Sequence, residues 1–197
     1  LPVLLPMGFG LIACVPYLLF SCWAGFLADK YSKRTVTLAT KLLEFVVVGL
    51  GMLALHIGSF PLGLFALFLL FTQSALFSPS KYGILPELVH EQRISWANGV
   101  IGMLTYLAII AGTAIGTELF GWLQPRGQLW LAGLVLMAFT VIGLVFGLGV
   151  DHTPAANPGR PFQVNFIPEA LRYFKIIAAD RMILLTIVSL SYFWGLG

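Results

Sequence analysis

Charge is what this sequence has least of. Eight acidic and eleven basic residues make up 10% of a 197-residue chain, against roughly 25% in a water-soluble domain. So few charges cannot cover a water-facing surface, and that excludes an ordinary soluble globule. Cysteine is nearly missing as well. Cys14 and Cys22 share one apolar run, where eight residues of helix separate them by about 12 Å, too far for a disulfide. They read as small apolar side chains. The three histidines, His56, His90 and His152, are scattered, so no metal site is expected. The sequence holds no glycine-rich phosphate loop, no recognisable nucleophile–base spacing and no His-x-x-x-x-Asp acyltransferase motif. No cofactor, metal or catalytic residue is expected, and this segment does not read as an enzyme.

What is present is apolar. Hydrophobic residues make up 59% of the chain, with 21 glycines and 16 phenylalanines, which excludes a disordered chain and suits helices packed in lipid. A membrane span needs about 20 apolar residues. That ruler marks spans over 1–27, 38–57, 61–77, 98–123 and 129–150, with a further apolar run over 181–197 that starts near Met182. None shows the alternation of a barrel wall. The expected fold class is an all-α integral membrane bundle. The chain begins and ends inside apolar runs, and is expected to be cut at both ends.

The basic residues fix an orientation. Lys30, Lys33, Arg34, Lys41, Lys81, Arg93, Arg160, Arg172, Lys175 and Arg181, ten of the eleven, flank loops that fall on one side; Arg126 alone falls on the other. Cytoplasmic loops are the basic ones. The net charge of +3 is therefore a topological pattern rather than a nucleic-acid face. The polar stretch 151–180 opens on Pro- and Gly-rich sequence and becomes helical in period, with Ile167, Leu171, Phe174 and Ala178 in step and Arg172 and Lys175 between them. It reads as a cytoplasmic linker bearing an amphipathic helix on the inner membrane surface, or as an ordinary surface helix.

Three motifs carry a resemblance. Gly25-Phe26-Leu27-Ala28-Asp29-Lys30-Tyr31-Ser32-Lys33-Arg34 resembles the major facilitator signature loop, Gly-x-Leu-Ala-Asp-Arg-x-Gly-Arg-Lys, which follows that fold's second helix. Ser32 replaces its second glycine, so the turn there is altered. Phe77-Ser78-Pro79-Ser80-Lys81-Tyr82-Gly83-Ile84-Leu85-Pro86-Glu87-Leu88, followed by Ala97-Asn98-Gly99, is similar to the lysophospholipid transporters of that superfamily and to the transporter part of their acyltransferase fusions. The closing Ser189-Leu190-Ser191-Tyr192-Phe193-Trp194-Gly195 resembles that family's seventh helix. Where the family often carries a Glu just after the Ala-Asn motif, this chain has Gly102.

The resemblance implies a major facilitator N-terminal half, helices two to six with the linker and the start of helix seven, lacking helix one and the C-terminal half. It implies movement of lysophospholipid, such as lysophosphatidylethanolamine, to the inner leaflet of a bacterial inner membrane by alternating access. Implied partners are membrane lipid, the lysolipid itself, the missing C-terminal half and an acyltransferase. Gly25, Asp29, Lys33 and Arg34 are implied as the conformational latch, Asp29 meeting a partner helix N-terminus. Two other readings stay open: a proton-coupled facilitator of a small solute or drug, and the membrane domain of a bifunctional lysophospholipid acyltransferase. A membrane scaffold that transports nothing is the plainest.

Charges inside spans are costly, at least ~2.5 kcal/mol at mid-membrane, and so mark candidates. Lys41 and Glu44 share a helix face at (i, i+3) and read either as part of a headgroup path or as a structural pair. Glu118, beside Trp122, is an outer-mouth acid or an interfacial one. Gln73, Thr105, Thr113 and Thr117 line a cavity or bond helix to helix. Lys41, Glu44, Gln73, Lys81, Asn98 and Glu118 are the substrate-path candidates, with Lys81 and Lys41 placed to attract phosphate.

Overall fold

The structure, a computed structural model, describes residues 4–159, 161 and 167–196. The start of the first span at Leu1, Arg160 of the basic set and Gly197 lie outside the described residues, as do the side chains of Ile167 and of 193–195. The chain divides into two units, 1–160 and 161–197.

The first unit is built from α1 (Leu4–Lys30), α2 (Lys33–Ile57), α3 (Phe60–Gly83), a single turn α4 (Leu85–Leu88), α5 (Ile94–Leu123) and α6 (Trp130–Leu148). Among the described residues there is no strand. Five helices among the described residues are long and apolar enough to cross a membrane. α1, α2, α3 and α5 run past their expected apolar spans at the basic end, whereas α6 stops at Leu148, just inside its own. A Lys stem can lie along apolar surface while its ammonium reaches the headgroups, so α2 can begin at Lys33 and α3 continue to Gly83. Pro79 sits inside α3, and Pro16, fully buried, inside α1. Both are tolerated because neighbouring helices shelter the carbonyl each one frees.

Turn chemistry stops the helices at the opposite end. Gly58 closes α2 in the left-handed region at φ 68°, its N–H and that of Ser59 both returning to the Ala54 carbonyl, a glycine-closed C-terminus. Gly127 does the same work after the Gln124–Arg126 turn at φ 66°. The lone basic residue of that end is occupied. Arg126 donates to the Trp122 carbonyl, and its guanidinium lies 4.3 Å from the Trp122 ring centroid. His56 meets Trp130 edge to face at 5.7 Å, tying the end of α2 to the start of α6.

Packing is uneven. α3 lies against both α1 and α2, and α2 against α6, whereas α5 touches little beyond the elements next to it in sequence. The α2–α6 crossing is set by glycine. A Cβ at Gly133 would fall 2.6 Å from Met52 Cβ and 3.3 Å from its Cα; one at Gly147 would fall 3.2 Å from a Leu38 methyl. Small residues let antiparallel helices approach this closely. Gly133→Val is therefore expected to lower stability by about 1–3 kcal/mol, the usual cost of overpacking. Thermal unfolding in detergent checks this, and Met52→Gly in the same chain, which removes the Cβ that Gly133 faces, should recover part of the loss. A Cβ built at Gly112 or Gly116 on α5 would meet nothing within 4 Å among the described residues.

Outward faces carry Leu18, Val46, Phe65, Ile110 and Phe146, all exposed, as helices solvated by hydrocarbon do. The second unit consists of α7 (Ile167–Ala179) and α8 (Arg181–Leu196). Leu171, Phe174 and Ile176 of α7 are exposed. Asp180 caps α8, its Oδ1 accepting the Met182 and Ile183 N–H groups at 2.9 and 3.2 Å.

Candidate functional site

Two polar centres stand out in an apolar molecule, one at the basic end and one within the bundle.

The basic end is the signature loop and what covers it. Lys33, 8% exposed, pairs with Glu87 of α4. Gly83 makes room for its stem, since a Cβ there would sit 3.1 Å from Lys33 Cε. Arg34 Nη2 donates to the Leu148 carbonyl at 2.8 Å, satisfying an orphan acceptor at the α6 C-terminus with a cation, as the helix dipole favours. The Asn157 N–H donates to the Asp29 carbonyl at 2.8 Å, and Thr153 between these two ties is 6% exposed. The start of the linker is thus laid across the α1–α2 loop. Lys33 and Arg34 are thus bonded within this chain. At Gly25 a Cβ would meet nothing within 4 Å, so no neighbour among the described residues requires glycine there. Glu87, quoted in the second motif but given no part by the sequence, is the partner that reasoning missed. Its signal was an acid next to a basic loop.

The inner centre gathers three of the path candidates. Lys41 Nζ lies 2.8 Å from Glu44 Oε2, and Gln73 Nε2 donates to the same oxygen at 3.2 Å. Thr140 of α6 lies 3.2 Å from Glu44 Oε1 and 3.1 Å from the Leu136 carbonyl, sharing one proton between them. Thr140 was not singled out by the sequence; its only signal was a hydroxyl in a long apolar run. Lys41 also stands 5.5 Å from the Phe77 ring centroid, a cation–π contact.

Lys81 lies apart from this cluster. Its Nζ donates to Thr105 Oγ1 of α5 at 2.8 Å and sits 5.1 Å from the Tyr82 ring centroid. Thr105 in turn donates to the Ile101 carbonyl at 2.7 Å. Among the described residues, no carboxylate lies within ion-pair distance of Lys81. Asn98 and Glu118 are not brought to either centre. Asn98 is exposed and donates to the Ile94 carbonyl of its own helix at 3.1 Å; Glu118 is exposed in a shallow depression with Ala114, Ile115, Leu119 and Trp122. Thr113 and Thr117 also bond back along α5, at 2.8 Å each. An apolar recess of about 590 Å³ opens between α5 and α6, lined by residues such as Ala108, Ile115, Val135 and Phe139. It presents no charged side chain and offers a headgroup nothing.

Five apolar helices, a signature loop locked at the basic end and few interior charges are the features of a polytopic transporter. The sequence model of the Major Facilitator Superfamily matches residues 6–197. The chain belongs to the major facilitator superfamily. Within it, this facilitator is similar to proteins named lysophospholipid transporter LplT. It is 27% identical over 196 residues to that of Pectobacterium carotovorum subsp. carotovorum (strain PC1), covering 98% of this chain and 44% of that protein. It is 29% identical over 185 residues to those of Enterobacter sp. (strain 638) and Klebsiella pneumoniae (strain 342), covering 92% of this chain and 43% of each. The facilitator chain thus spans less than half the length of the curated relatives it matches. It is a multi-pass membrane protein of a transporter superfamily.

Proposed function

We propose that this chain forms one wall of a transporter that moves lysophospholipid to the inner leaflet of a bacterial inner membrane, by alternating access between two helical halves. The observation that carries the reading is Lys81. Of the interior lysines, Lys41 is neutralised by Glu44, whereas Lys81 is held by a hydroxyl and a ring. An ammonium within an apolar bundle, with no carboxylate in ion-pair reach among the described residues, is the group a phosphate headgroup would meet. The single acyl tail needs little from the protein, because hydrocarbon already favours it by about 0.8 kcal/mol per CH₂. The names of the relatives support the same substrate class.

In this reading α1–α3, α5 and α6 act as helices two to six of an N-terminal half, and a second half supplies the facing wall. Asp29 is the latch residue toward that half. Lys33 and Arg34 hold the loop in register by their bonds to Glu87 and Leu148. Asn98 and Glu118, on the sparsely packed α5, belong to the path only where that second half meets α5. An acyltransferase acting on the delivered lysolipid is the natural partner, on the same chain or another.

The test is reconstitution of the protein from its complete reading frame into vesicles with labelled lysophosphatidylethanolamine in one leaflet. Protein-dependent loss of label from external quenching is expected. No lysolipid movement, with uptake of a water-soluble solute driven by a proton gradient, would instead establish the small-solute facilitator.

A further inference from the structure

Glu44 lies about 16 Å of helix rise above Lys33, near the mid-depth of α2. A carboxylate at that depth is tolerated only where its lone pairs are met and its charge is balanced. Here all of that comes from three helices. Lys41 and Gln73 bond Oε2 at 2.8 and 3.2 Å, and Thr140 faces Oε1 at 3.2 Å. The ammonium is enclosed in turn. Phe77 lies under it at 5.5 Å, and α6 carries glycine where the Lys41 head passes, a Cβ at Gly143 falling 3.4 Å from Nζ. Lys41 and Glu44 side chains are 22% and 20% exposed.

We propose that Glu44 is the hub of a charge-neutral clasp that holds α2, α3 and α6 as one rigid unit. Gln73, Phe77 and Lys81 follow one another at steps of four along a single face of α3. The clasp grips the first two and so sets the depth and rotation at which the third is presented. Glu44 is thereby a positioning residue for Lys81. That last clause rests on the lysolipid reading; the clasp itself does not. Lys41, satisfied by its own carboxylate, is not the phosphate receptor.

The experiment compares Glu44→Gln, Lys41→Met and the double variant in the protein from its complete reading frame. Two quantities are read: the thermal unfolding midpoint in detergent and the rate of lysolipid movement. Each single change strands one charge in the bundle, so each should lower the midpoint by several degrees. The double variant removes both charges but leaves at position 44 an amide that can still bond Gln73 and Thr140, so it should regain most of that loss and, with the clasp still holding α3, keep at least half of the transport rate. Should the single variants fail to fold, a folded double variant still supports the clasp and an unfolded one overturns it. Additive losses in the double variant would overturn it too. So would a double variant of normal stability with transport reduced tenfold, since the pair would then act in the path. Failure of the lysolipid reading is seen separately, as a wild-type protein that moves no lysolipid while the midpoints behave as stated.

Discussion

Lys81→Met is expected to slow lysolipid movement at least tenfold while leaving expression and unfolding midpoint close to wild type. Two unit charges 4 Å apart interact by about 4 kcal/mol at an effective dielectric of 20. Desolvation offsets part of this, and a net loss of only about 1.4 kcal/mol already gives a factor of ten. Lys81→Arg keeps the charge and should retain a measurable rate. Thr105→Val removes the hydroxyl that holds the ammonium at 2.8 Å and should cost about one hydrogen bond to a charged group, roughly 1.5 kcal/mol or about tenfold. Initial rates by leaflet-selective quenching read all three. A full rate in Lys81→Met at normal expression removes this lysine from the mechanism.

Glu87→Leu is expected to be the most destabilising change at the basic end. It strands Lys33, which is 8% exposed and closed in by Gly83. Removing one partner of a buried pair costs about 3–5 kcal/mol, and replacing both by apolar residues is often close to neutral. The Glu87 side chain is 24% exposed, so the lower end of that range is expected. Lys33→Met with Glu87→Leu should recover most of the loss. The comparison is made by thermal unfolding across the four proteins of the cycle. Full additivity would mean that the pair does not couple α2 to α4.

The helical architecture was legible because hydrocarbon makes simple demands. Runs of about 20 apolar residues and basic loops on one side are enough to define it. The reach of each helix was less legible. The length ruler marks the run that lies in hydrocarbon, whereas α3 continues through Ser78-Pro79-Ser80 to Gly83, a stretch that reads locally as a breaker. The candidate site was legible in part. Lys41 and Glu44 share a turn, so their pairing follows from helix geometry alone. Their meeting with Gln73 and Thr140 depends on the register of three helices, set by contacts such as Gly133 on Met52, which no local pattern records. The tie from Lys81 to Thr105 and that from Lys33 to Glu87 are long-range for the same reason.

The most direct measurement is sided labelling of single cysteines. With Cys14 and Cys22 replaced by Ala, cysteine is placed at the exposed positions Tyr31, Gln92 and Asp151 of the basic end and His56 and Gln128 of the opposite end. A membrane-impermeant maleimide added to intact cells should label the latter two and reach the first three only after the membrane is opened. Labelling of Tyr31 and Asp151 from opposite faces would contradict a bundle that gathers its basic loops on one side of a bilayer.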